Sequence, residues 1–367
     1  VLDVLDPSGL ARRLRRDAER SALRARYGIK HLAGIGRAPV GTTPKDPVWQ
    51  RDKVVLHRYR SDQRCYGPPV LLVMSLVTRP YVFDLRPGSS FVEVLLGRGL
   101  DVFLLDWGVP DEVEADNSLE TYCDEYLPLA AAAACDTAGA VDLTVFGYCY
   151  GGVLCLLYAA GHPGPPVRNL AVMATPVDWR HMGPMTSLVQ RGRLDPDDLL
   201  DDTGNVPAEV VASSFRLLKP TGDLVSYANL WQNLWDDRYV ESYQAMTRWA
   251  NDHIPFPGAA MRQTVELFVR QNALLSGEVP LAGGRRRLAD IECPFLSVVA
   301  EHDHITPPGA VAPLIDLVGS QDRTQMRLPA GHVGLVVGRG ASTRTMPAMA
   351  DWIVSRSGPP AAPAEAP

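Results

Sequence analysis

The run Leu143-Thr-Val-Phe-Gly-Tyr-Cys-Tyr-Gly-Gly-Val153 constrains this chain more than any other stretch. Leu143, Thr144, Val145 and Phe146 suit a buried strand, and the residues after Gly151 suit a helix. Between them, Gly147-x-Cys149-x-Gly151 has the spacing of a nucleophile elbow, with cysteine in place of serine. So sharp a turn forces its apex residue into a strained backbone state. It also leaves no room for bulk two residues to either side, which glycine satisfies. The helix N-terminus points at the sulfur and favours the thiolate. The backbone amide of Tyr150 is placed to donate to an oxyanion. Taken alone, the same spacing reads equally well as a structural cysteine on a strand–helix turn.

An elbow needs a parallel sheet around it, and the rest of the chain supplies the pattern. Short apolar runs recur at 54–59, 70–74, 102–105, 143–146, 170–174, 295–300 and 326–328, with helical stretches between. Such runs read as strands buried on both faces of a mostly parallel sheet, hence α/β architecture. At 46% hydrophobic residues over 367 positions, the chain can bury a large core. The rhythm breaks over 179–289, which holds Trp231, Trp235 and Trp249 but no obvious strand of such a sheet. That segment is expected to be an inserted, mainly helical cap. The core is then 38–178 with 290–357. Residues 1–37 read as a basic helical segment, carrying arginines such as Arg12, Arg13, Arg15 and Arg16, and 358–367 as a Pro/Ala-rich disordered tail.

Two later signals give Cys149 partners. The run 295–300 is followed by Glu301-His-Asp303-His304-Ile-Thr-Pro307, and the run 326–328 by Ala330-Gly-His332-Val-Gly334. An acid after one late strand and a histidine after the next give the order nucleophile, acid, histidine, which is that of the α/β-hydrolase fold. Cys149, Asp303 and His332 are therefore the candidate catalytic set, with Asp303 orienting His332. A second oxyanion donor is expected within 75–78. His304 is a candidate neighbour of the substrate, or else a local packing residue.

The other five cysteines form no Cys-x-x-Cys pair and no Cys/His cluster, so neither a metal site nor a disulfide framework is expected. No run approaches the ~20 apolar residues of a membrane-spanning helix. A formal net charge of −6 offers no pull toward nucleic acid. With no secretory signal pattern, a cytoplasmic location is expected. Arg285, Arg286 and Arg287 form a basic cluster that could meet phosphates but reads more simply as a solvated loop.

From about Lys53 to Trp352 the chain resembles the polyhydroxyalkanoate synthases. The resemblance rests on several motifs in the family's order: Leu76-Val-Thr-Arg-Pro-Tyr-Val-Phe-Asp-Leu85, the Asp106-Trp107 turn, Gly147-Tyr-Cys-Tyr-Gly-Gly152, Ala174-Thr-Pro-Val-Asp178, Trp249-Ala-Asn-Asp-His-Ile-Pro-Phe-Pro-Gly258, and the Asp303 and His332 loops. It implies a transferase that polymerises (R)-3-hydroxyacyl-coenzyme A into polyester and releases coenzyme A, with no other cofactor. It implies Cys149 as the nucleophile holding the chain as a thioester and His332 as the base. Asp303 would be the acid linked to activating the incoming hydroxyl. The implied partners are the growing polyester and its granule surface, a second copy of the chain, and, from the length and Pro80-Tyr-Val-Phe-Asp84, a second non-catalytic subunit. The Trp249 motif is more similar to the longer single-subunit type. Tyr150 stands where several relatives have Gln or Met, and Thr78 where Asn is frequent.

Two alternatives share the elbow. One is a cysteine hydrolase, thioesterase-like or similar to the dienelactone hydrolases; those are much shorter and lack a long cap. The other is an inactive granule-associated relative, which would have no reason to keep all three of Cys149, Asp303 and His332.

Overall fold

The computed structural model describes Arg15, residues 39–218 and residues 229–359. The basic helical segment and most of the tail lie outside these. Eight strands form one sheet: β1 Lys45–Arg51, β2 Val54–Tyr59, β3 Val70–Val73, β4 Val102–Asp106, β5 Leu143–Tyr148, β6 Val167–Met173, β7 Phe295–Ala300 and β8 Arg323–Leu328. Their spatial order is β1-β2-β4-β3-β5-β6-β7-β8, and only β2 runs against the rest. This is the mostly parallel α/β sheet expected from the apolar runs and the α/β-hydrolase architecture expected from the elbow and the order of Cys149, Asp303 and His332.

The strand sequences explain why both faces are covered. In β3 and β4, Leu71, Val73, Phe103 and Leu105 join the apolar cluster on one face, while Val70, Leu72, Val102 and Leu104 join the cluster on the other. Side chains alternate with period two, so a continuously apolar strand needs a layer on each side. Each such side chain removed from water contributes about 1.5–3 kcal/mol. The layers are supplied by α1 Phe91–Leu96, α2 Leu127–Ala138 and α3 Tyr150–Gly161. The hydroxyl of Ser90 caps α1 by accepting the Glu93 amide, and the Glu93 carboxylate reaches back to the amide of Gly88. α2 opens with Pro128 in its first turn and closes on Gly139, which takes a left-handed φ of 66°.

β1 was not expected from the sequence. Its burial is only partial along Lys-Asp-Pro-Val-Trp-Gln-Arg, and its register slips between Pro47 and Trp49, as suits a sheet edge.

Between β6 and β7 lies a long insertion, described over 174–218 and 229–294. Its helices include α4 Gly183–Gln190, α5 Ala208–Leu218, α6 Asp237–Ala250 and α7 Gly258–Gln263. Its extended pieces are short: Asn205–Val206 pairs with Phe256–Pro257, and Glu278–Leu281 with Gly284–Arg287. None of them joins the eight-stranded sheet. After β8, α8 Met346–Val354 packs back toward α1. Among the described residues no helix is long and apolar enough to cross a membrane.

Candidate active site

The elbow begins where β5 ends. Gly147 pairs with Val73 on one side and Val172 on the other, so the turn leaves the middle of the sheet at its carboxyl edge. Cys149 adopts φ 57° and ψ −123°, a state costing a non-glycine residue about 1–3 kcal/mol. The turn is held by the Cys149 amide donating to the Met173 carbonyl at 2.8 Å and the Gly152 amide donating to the Cys149 carbonyl at 3.0 Å. Cys149 caps α3 through backbone alone; its side chain makes no capping bond and stays available.

The flanking glycines are required by close approach. A Cβ on Gly147 would lie 2.5 Å from the Gly152 Cα, and one on Gly151 would lie 2.5 Å from the Val73 carbonyl oxygen. A third, Gly152, would drive a Cβ to 1.9 Å from the Thr175 hydroxyl.

Asp303 and His332 come from the loops after β7 and β8, whose C-terminal ends are paired Ala300 to Leu328. The pairing continues past the strands, with the Glu301 amide donating to the Leu328 carbonyl and the His302 amide to the Ala330 carbonyl, each at 2.9 Å. This stitching brings the two loops together. His332 Nδ1 lies 2.7 Å from Asp303 Oδ2. Asp303 is 4% exposed and His332 9%.

The carboxylate of Asp303 is fully engaged. Its Oδ1 accepts the amides of Ile305 at 2.8 Å and Thr306 at 2.9 Å. Its Oδ2 accepts the Thr306 hydroxyl at 2.9 Å besides His332. Burial works against the ionised carboxyl, but the charge and hydrogen bond of His332, with the Thr306 donors, outweigh it and hold Asp303 below its ordinary range. Burial likewise works against a cationic His332. The Asp303 carboxylate and the Cys149 sulfur, each acting as charge and as hydrogen-bond partner, more than reverse that and push His332 up to about 10. Cys149, Asp303 and His332 thus meet across three strand ends. The Tyr148 ring stacks on the His332 ring with centroids 5.0 Å apart, and its hydroxyl donates to the His332 carbonyl at 3.1 Å.

The insertion touches this site through Tyr150. The Tyr150 ring packs edge-on against Phe256 and Trp179, and its hydroxyl meets that of Thr264. The loop after β3 is bound from the same side. The Val77 carbonyl accepts the Ile254 amide at 3.2 Å and His253 Nδ1–H at 3.3 Å. The Trp249 indole donates to the Arg79 carbonyl at 2.8 Å, and the Tyr81 hydroxyl to Asp252 at 2.9 Å. Within 75–78, Ser75 and Thr78 are buried and share a 2.9 Å hydrogen bond between their hydroxyls.

His304 is exposed, beside the buried Asp303 in sequence. The arginine cluster is a hairpin strand rather than a solvated loop. Arg285 pairs with Glu278, Arg287 with Asp290, and the buried Arg286 with Asp124, which also holds His162. Among the described residues no three His, Cys, Asp or Glu side chains are grouped to hold a metal ion. Thr306 and Tyr148 were missed in the sequence. A hydroxyl three residues after the acid and just before a proline was the available signal for Thr306.

The profile of the α/β hydrolase fold family matches residues 68–338. The chain is 33% identical over 335 residues to the poly(3-hydroxyalkanoate) polymerase subunit PhaC of Thiocystis violacea, covering 90% of this chain and 93% of that protein. It is 34% identical over 329 residues to the subunit of the same name from Haloferax mediterranei, covering 88% of this chain but 66% of that longer protein. Among solved structures, a hydrolase from Pseudomonas aeruginosa PA01 is 17% identical and superposes with a TM-score of 0.52 over 87% of this chain and 100% of that one. This last likeness concerns the fold alone.

Proposed function

This chain belongs to the family of poly(3-hydroxyalkanoate) polymerase subunits, and from that premise we propose that it polymerises (R)-3-hydroxyacyl-coenzyme A through a thioester on Cys149. The observation that carries the reading is the Cys149 sulfur at a left-handed turn beside a buried His332–Asp303 pair.

With His332 Nδ1 facing Asp303, Nε2 is left for the Cys149 proton. The sulfur attacks the acyl carbonyl, and the Tyr150 amide donates to the oxyanion. As the carbonyl re-forms, the carbon–sulfur bond to coenzyme A breaks and His332 returns its proton to the departing thiolate. One thioester replaces another, so the acyl group stays activated and no resident cofactor is required. In the second half-reaction the hydroxyl of an incoming monomer attacks the Cys149 thioester. His332 takes the hydroxyl proton and gives it to the sulfur as the ester forms. The elongated chain, now a coenzyme A thioester, re-acylates Cys149. The four donors around Asp303 favour an orienting role over direct removal of the hydroxyl proton.

Water competes with the hydroxyl at every cycle. The insertion at 179–289 acts as a cap that excludes it, anchored near the elbow through Tyr150. The chain works as a homodimer or with a second, non-catalytic subunit, at the granule surface in the cytoplasm.

The deciding experiment supplies (R)-3-hydroxybutyryl-coenzyme A to the purified protein and follows free thiol and polyester together. Thiol release with insoluble polyester supports the reading; thiol release with free 3-hydroxybutyrate alone makes the protein a thioesterase. Cys149→Ala should lose turnover at least about a thousandfold and lose all acyl labelling. Full turnover by that variant would sink the mechanism.

A further inference from the structure

Asp303 and His332 do not form an isolated pair. Thr306, 1% exposed, closes a triangle with them: its Oγ1 lies 2.9 Å from Asp303 Oδ2 and 3.2 Å from His332 Nδ1. The protons in this triangle follow from the chemistry of its corners. An ionised carboxylate only accepts, so His332 Nδ1 must carry a hydrogen to face Oδ2 at 2.7 Å. The one hydroxyl proton of Thr306 also goes to Oδ2, so the hydroxyl turns a lone pair toward Nδ1–H. That hydrogen then has two acceptors in line with one imidazole orientation.

We propose that Thr306 is a positioning residue, whose hydroxyl fixes the Asp303 carboxylate and the Nδ1–H tautomer of His332. The proposal rests on the catalytic reading of Cys149, Asp303 and His332. Three observations support it. The Thr306 amide donates to Asp303 Oδ1 while its hydroxyl donates to Oδ2, so one residue grips both oxygens and sets the rotation of the carboxylate. Thr306 precedes Pro307, which restricts it to extended backbone. Its β-branch stiffens χ1 further. The chain beyond is anchored in turn: the Ala310 amide donates to the Pro307 carbonyl at 2.7 Å, and the Ala310 carbonyl accepts the amides of Val177 and Asp178. Thr306 therefore stands at the end of a braced turn, with little freedom to present its hydroxyl elsewhere. Without that hydroxyl, Oδ2 keeps a single donor and the Nδ1–H of His332 loses one of its two acceptors.

The test uses Thr306→Val, which keeps the shape and removes the hydroxyl, and Thr306→Ser, which restores it. With (R)-3-hydroxybutyryl-coenzyme A, Thr306→Val should lower kcat about tenfold, with KM within about twofold of wild type. Thr306→Ser should recover kcat to within about threefold of wild type. A Thr306→Val protein with wild-type kcat, or a loss carried entirely in KM, overturns the role. Should Thr306→Val not fold, Thr306→Ala takes its place, and a Thr306→Ser enzyme as slow as Thr306→Ala overturns it, since packing of the methyl would then account for the loss. Cys149→Ala runs alongside. If it stays active the catalytic premise itself falls; if it is dead while Thr306→Val is fully active, only the role of Thr306 falls.

Discussion

All four side chains of β3 are buried, whereas in the fourteen-residue α6 only Val240, Ala245 and Trp249 are. The sheet is held by continuous apolar contact on two faces, and close packing leaves its strand ends no alternative positions. The insertion shares part of the apolar cluster, with Phe268, Val269 and Leu274 buried beside residues of β3 and β5, and adds separate polar points: Trp249 on the Arg79 carbonyl, Tyr150 on Thr264, and Gln263 on Glu120. The difference separates two tasks. Cys149, Asp303 and His332 stand on strand ends, where their geometry is inherited from the core. The insertion adds to its shared apolar packing a set of polar bonds that can be removed one at a time.

That contrast can be attacked in order of expected effect. The largest lies in the core pair. His332 is raised from 6.5 to about 10, so the stability it contributes is fully present below pH 6.5 and is lost as pH rises through about 10. Asp303 is lowered from 3.8, so its contribution is present above pH 3.8 and is lost as pH falls through its depressed value. The stability gap between wild type and His332→Gln should therefore be widest between about pH 4 and 6.5 and close toward pH 10. Urea unfolding across that range checks it, and a gap independent of pH would argue against the buried ion pair.

Next comes the elbow. Gly151→Ala puts a Cβ 2.5 Å from the Val73 and 2.6 Å from the Met74 carbonyl oxygens, which are backbone and cannot swing aside. A loss of about 3 kcal/mol is expected. A cost under about 1 kcal/mol would mean that the strand ends are softer than their packing suggests. In the insertion, Trp249→Phe removes one partly buried hydrogen bond, to the Arg79 carbonyl. It should cost about 1 kcal/mol and leave the reactivity of Cys149 toward iodoacetamide unchanged. A change in that reactivity would show that the two regions are coupled after all. Smallest is Arg262→Ala, which breaks the exposed pair with Asp197 at 2.7 Å. Less than about 0.5 kcal/mol is expected in thermal unfolding, and a larger loss would make the insertion depend on its surface charges.

The same contrast explains what could be read in the sequence. β3, β5 and β7 were legible because burial on both faces writes an uninterrupted apolar run. The elbow was legible because three close approaches admit only glycine. β1 was not, since an edge strand carries Lys45, Asp46 and Gln50 on a partly exposed ribbon. The paired segments Asn205–Val206 and Phe256–Pro257 are two residues each, too short to carry any period. Arg286 read as solvated because its partner Asp124 lies 162 positions away in the chain. Thr306 was only weakly signalled for a different reason: a threonine before a proline in a turn is ordinary, and only the folded geometry gives its hydroxyl two partners.

The order in which the sheet receives its strands has a consequence for synthesis. β5 and its elbow emerge from the ribosome well before the loop carrying His332, which comes 183 residues after Cys149 in the chain (332 − 149). A half-made chain would expose a cysteine at the apex of its turn with no base to take its proton. If His332 is the base that activates Cys149, the nascent protein is inert toward acyl thioesters until the His332 loop has been made and folded onto the sheet.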